Sequence, residues 1–94
     1  GELSAAARAQ CAALYCQQRI ATEIANAQEV RLETVAVQGD AQATEVTGLI
    51  WYEHWGGVPA DYRCTLRGLK LTGTRIDYPR RVRVDSGGTP QMTR

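Results

Sequence analysis

VPADYRCTLRG (Val58–Gly68) alternates apolar and polar side chains almost without a break. Successive residues of a strand point to opposite faces, so Tyr62, Cys64 and Leu66 share one side and Arg63, Thr65 and Arg67 the other. A strand patterned in this way belongs to an antiparallel sheet with one face packed on a core and one facing water. The cysteine lies on the core side, so whatever covers the sheet lies within its reach.

Upstream, Ser4 followed by AAARAQ reads as a capped helix start. From there to about Ala27 no Pro or Gly intervenes, and β-branched residues occur only at Ile20, Thr22 and Ile24. At about 100° per residue, Leu3, Ala6, Ala13, Leu14, Ile20, Ala21 and Ile24 gather on one side, with Arg8, Arg19 and Glu23 opposite. This predicts an amphipathic helix whose small inner face lets it lie close against a sheet.

The remaining segments read as strands. Glu29 to Gln38 ends at the hairpin signal Gly39-Asp40, and Thr44 to Trp55 ends at Gly56-Gly57. Ala60 to Leu71 follows, with Gly68 as a bulge, and Thr72-Gly73-Thr74 turns the chain into Arg75 to Val84. Pro79 places that last strand at an edge or on a bulge. The expected fold is α+β: one N-terminal helix packed on a four-stranded antiparallel sheet, forming a single domain over residues 1–85 with a flexible tail over 86–94.

Three cysteines suggest one disulfide and one leftover thiol. Cys11 and Cys16 stand five residues apart, about 140° around a helix, and cannot bond each other in regular geometry. Cys16 lies nearer the inner stripe, so the expected staple is Cys16–Cys64 with Cys11 free. A disulfide between helix and sheet belongs to an oxidising compartment, which points to the periplasm or the cell exterior. No apolar run approaches the length of a transmembrane segment. An exported precursor would have carried its signal, or a lipid anchor, ahead of Gly1.

Charge is bipolar. Residues 1–57 hold three cations and seven anions, a net of −4, and residues 58–94 hold eight cations and three anions, a net of +5. A basic end can bind nucleic acid. No aromatic is interleaved with the Arg81/Arg83 pair as base stacking requires, so acidic and basic strands pairing across the sheet is the expectation, and no nucleic acid.

Enzyme chemistry finds little support in the residue pattern. Cys11, Cys16, Cys64 and His54 match a zinc ligand set by count, but zinc ligands come as a close pair on a turn, whereas two of these diverge on a helix. A thiol enzyme using His54 with Cys64 or Cys11 needs an exposed thiolate, and Cys64 sits on the buried face. No phosphate-binding loop or dinucleotide fingerprint is present, since TGTRID and DSGGTP lack the helix that must follow. No catalytic residue, metal or cofactor is therefore expected.

The stretch GLIWYEHWGG (Gly48–Gly57) carries more information. One parity presents Leu49, Trp51 and Trp55, and the other presents Ile50, Tyr52 and His54, so both faces of this strand are apolar or aromatic. One helix covers only one face; either the sheet curls around the helix with Trp51 and Trp55 as its cap, or, as expected here, the second face holds a partner protein or a second copy of this chain. Trp and Tyr beside a Gly-Gly turn are residue types that anchor interfaces, which makes Leu49, Trp51, Tyr52, His54 and Trp55 the candidate binding residues. The alternatives are a carrier of a small ligand or lipid, with a cavity between helix and sheet lined by Tyr15, Tyr52 and Tyr62, or a thiol- or metal-dependent enzyme using Cys11 and His54.

One helix followed by four antiparallel strands resembles the cystatin-like arrangement, and Ala36-Val37-Gln38-Gly39 is similar to the Gln-Val-Gly inhibitory loop of that family. The residue order differs and the second, Pro-Trp hairpin is missing, so the resemblance implies architecture and no activity.

Overall fold

The computed structural model describes residues 4–79, 82–84 and 90–92. Helix α1 runs over Ala5–Thr22 and is followed by a 3-10 turn at Ala27–Glu29. Strands β1 (Val30–Gly39), β2 (Thr44–Tyr52), β3 (Ala60–Arg67) and β4 (Lys70–Asp77) form an antiparallel meander in the order β1-β2-β3-β4. A second 3-10 turn, Glu53–Trp55, closes β2, and β5 (Val82–Val84) pairs with β6 (Pro90–Met92) as a separate two-stranded ladder. The α+β arrangement and its disulfide are as the residue pattern predicts. Of the tail expected over 86–94, residues 86–89 and 93–94 lie outside the described residues, and residues 90–92 form β6.

α1 begins where Ser4 accepts a hydrogen bond from Ala7 N at 3.1 Å. It stops at Thr22, short of the expected Ala27. There the Thr22 hydroxyl donates to the Arg19 carbonyl at 2.7 Å, a local bond that competes with helix continuation. Its buried line is Ala12, Cys16 and Ile20, continued beyond the helix by Ile24. This corrects the expected inner face: Leu14 is 53% exposed and Ala6 is exposed, while Leu3 lies outside the described residues. An alanine-rich helix has only a shallow apolar gradient around its circumference, so its rotation is fixed by what it is tied to. The tie is the disulfide between Cys16 and Cys64, both fully buried, with Cα atoms 5.8 Å apart.

Val46, Ile50, Tyr62, Leu66 and the disulfide make the core between α1 and the sheet. Tyr62 reaches from β3 across Gly48 of β2 to the β1 backbone. Its hydroxyl donates to the Glu33 carbonyl at 3.4 Å and lies 3.5 Å from Thr34 Oγ1, which also accepts from Gln17 Nε2 at 3.0 Å. A Cβ on Gly48 would overlap both the Tyr62 ring and the Glu33 carbonyl. Gly48→Ala is therefore expected to cost about 1–3 kcal/mol through overpacking, read as a shift in urea midpoint at unchanged slope.

The β3–β4 hairpin differs from expectation. It turns at Gly68-Leu69, with φ of 57° and 65°, and Arg67 faces Lys70 across it. Both turn residues are left-handed, the pattern of the tight turn that matches strand twist. Leucine is a poor left-handed residue, so the sequence signal passed to Thr72-Gly73-Thr74, which lies inside β4. Thr72 is an extra residue there, and Val35 plays the same part in β1, so each edge strand of the sheet carries a bulge. Ala36–Gly39, similar in sequence to an inhibitory loop, lies within β1.

Candidate functional site

The register assembles the outer sheet face, the one turned away from α1, row by row. Arg31 stands opposite Trp51; the next row reads Glu33, Leu49, Asp61 and Asp77; the next reads Ala36, Thr47, Arg63 and Arg75. β2 shows the two environments most plainly, since Thr44, Val46, Gly48 and Ile50 are buried while Glu45, Thr47, Leu49 and Trp51 are half-buried. No described helix packs on this face.

Trp51 is held in place by its neighbours. Its indole N–H donates to Glu33 Oε1 at 3.3 Å, and the Arg31 guanidinium lies over the ring, 5.5 Å from its centroid. Arg31 Nη1 also stands 3.8 Å from Glu33 Oε1, so one carboxylate oxygen serves both. Leu49 lies beside them in the neighbouring row. Around this apolar centre the charges oppose like to like across β3 and β4, Asp61 to Asp77 and Arg63 to Arg75. Arg75 and Asp77 pair with each other at 3.1 Å, and Arg63 pairs with Glu45 at 3.8 Å. These pairs are exposed and contribute little stability.

The structure brings together only part of the predicted set. Leu49 and Trp51 share the outer face. Tyr52 turns to the core side at the end of β2, edge-on to His54 at 4.9 Å and to Trp55 at 5.4 Å. His54 is exposed and stands 3.4 Å from Glu53 Oε1. Trp55 departs from the reading most clearly. It is 1% exposed and packs edge-on against Tyr78 at 5.8 Å. The 3-10 turn over Glu53–Trp55 breaks the two-residue period, so Trp55 swings inward and leaves the face that parity assigned to it. The outer face is consequently less apolar than the sequence suggests.

Around the corner from Trp51, a hollow of about 380 Å³ opens between the first 3-10 turn, the start of β1 and the end of β2. Glu29, Arg31, Trp51, Tyr52, Glu53 and Gly57 line it together with Gln28 and Val30. The Tyr52 hydroxyl donates to Glu29 Oε2 at 3.3 Å. Its pKa is raised above the ordinary value by desolvation, and then by the negative charges of Glu29 and Glu53. Arg31, Glu33 and Glu29 are not singled out by the sequence. The signal existed in the alternation of EVRLE, but only the register of β1 against β2 places Arg31 over Trp51.

Cys64 is bonded to Cys16, which removes it as a nucleophile, and Cys11 is the half-buried free thiol. Among the described residues no three His, Cys, Asp or Glu side chains gather as metal ligands. Tyr15, Tyr52 and Tyr62 line three separate depressions among the described residues. Comparison with protein-family models, with curated proteins and with solved structures finds no match.

Proposed function

We propose that this protein is a non-catalytic binding module of an oxidising compartment, the periplasm or the cell exterior, and that it holds a protein partner on its outer sheet face. The observation that carries the reading is Trp51: a large aromatic on a sheet face without a helical cover, fixed by Glu33 and Arg31 before any partner arrives. An aromatic whose geometry is set in advance loses little entropy on binding, which is what makes tryptophan a frequent anchor of interfaces. Leu49 adjoins it and the surrounding charges form a polar rim. The bulges at Val35 and Thr72 interrupt both edge strands, so strand addition at an edge is the less favourable mode of docking and the face is the better one. The buried Cys16–Cys64 bond supports export, because reducing compartments keep thiols apart.

The test compares immobilised wild type with Trp51→Ala in periplasmic extract or culture medium, alongside light scattering of each protein alone. Trp51→Ala is expected to keep its fold and its melting temperature within a few degrees while losing about 30-fold in partner affinity. The same partner retained equally by a folded Trp51→Ala variant would remove the outer face as the binding surface.

A further inference from the structure

We infer that the hollow beside Trp51 and Tyr52 receives a lysine or arginine side chain presented by the protein partner. The inference rests on the reading of the outer face as the partner surface and adds the chemistry of what enters. Two carboxylates, Glu29 and Glu53, stand against one cation, Arg31, in its wall, and Arg31 already faces the Glu33 carboxylate. Two aromatic rings, Trp51 and Tyr52, complete the lining, and tryptophan and tyrosine faces attract cations through their ring quadrupoles. Arg31 shows what this surface accepts, since its guanidinium rests over the Trp51 indole at 5.5 Å. The Tyr52 hydroxyl already donates to Glu29 Oε2 at 3.3 Å, which places that carboxylate beside the ring. The hollow is continuous with the Trp51 anchor, so a partner seated on the outer face can reach into it with a long side chain. An acidic side chain there would meet Glu29 and Glu53 with like charge.

The experiment follows amide and indole signals of the isotope-labelled full chain by NMR during titration with three short capped peptides, glycine alternating with arginine, with lysine or with glutamate. Arginine or lysine peptide is expected to shift the Trp51 indole and Gly57 amide signals, while the glutamate peptide leaves them in place. The double variant Glu29→Gln with Glu53→Gln, its remaining spectrum unchanged, is expected to bind the basic peptides about tenfold more weakly. Absence of shifts with both basic peptides, equal shifts with the glutamate peptide, or undiminished binding by the double variant would each overturn the inference. The partner assay separates the two levels of the argument. If the double variant keeps the partner while Trp51→Ala loses it, the open face stands and the basic side chain falls; if Trp51→Ala also keeps it, the face itself falls.

Discussion

Replacing Cys16 and Cys64 together by alanine is expected to lower stability by about 4 kcal/mol. The bond closes a loop of 48 residues, and in the chain-entropy treatment a cross-link over that span removes about 4 kcal/mol worth of disorder from the unfolded state. A domain of this size holds only about 5–15 kcal/mol in total, so the loss is a large fraction of it. At about 4–8 °C per kcal/mol, the melting temperature should fall by about 16–32 °C. Thermal unfolding followed by far-ultraviolet circular dichroism checks this, and a fall of only a few degrees would mean that the reduced chain is held by packing alone. Both sulfurs are fully buried, so reductant should open the bond of the native protein only as fast as the helix and sheet part. Added urea below the unfolding midpoint is therefore expected to accelerate reduction.

Trp55→Ala should cost about 3–5 kcal/mol, the range for deleting a buried large aromatic. Trp55 fills the corner between the end of β2 and Tyr78, edge-on to Tyr52 and Tyr78, and no small rearrangement closes a void of that size. Trp55→Phe should cost much less. The indole N–H of Trp55 is buried and has no acceptor among the described residues, so phenylalanine removes an unsatisfied donor while keeping most of the apolar bulk. Urea titration of the three proteins, read by far-ultraviolet circular dichroism, measures both differences. A Trp55→Ala variant as stable as wild type would place this side chain outside the core. The two tryptophans thus answer different questions: substitution at Trp55 tests the core, and substitution at Trp51 tests the proposed binding face.

What the residues made legible followed from short periods. The alternation in ADYRCTLR corresponds to β3, whose burial alternates residue by residue as that pattern requires. The Cys16–Cys64 bond followed from combining strand parity with helical angle, two local rules that happen to meet at one pair of sulfurs. The same rules failed where geometry departed from its ideal period. A single 3-10 turn moved Trp55 from the expected outer face to the core, and a leucine in the left-handed region moved the last hairpin turn from Thr72–Thr74 to Gly68-Leu69.

The helix face was legible only in part, because alanine gives little contrast around the axis. Leu14 looked like a core residue by its chemistry, and the disulfide turned it to solvent. The candidate site was less legible still. Trp51 and Leu49 were marked by their chemistry, but Arg31, Glu33, Glu29 and Glu53 acquire meaning only beside them.

The sequence by itself determined the order of α1 and the four strands of the main sheet, the sidedness of β3 and the pairing of the cysteines, since each depends on the backbone period and on residues within one or two segments. Only the tertiary structure decided the rotation of α1, the inward turn of Trp55 and the meeting of Arg31, Glu33 and Trp51 on one open face. The first depends on a covalent tie across 48 residues and the last on strand register, neither of which is encoded in any local stretch of chain, while the turn of Trp55 follows from a 3-10 departure from the strand period.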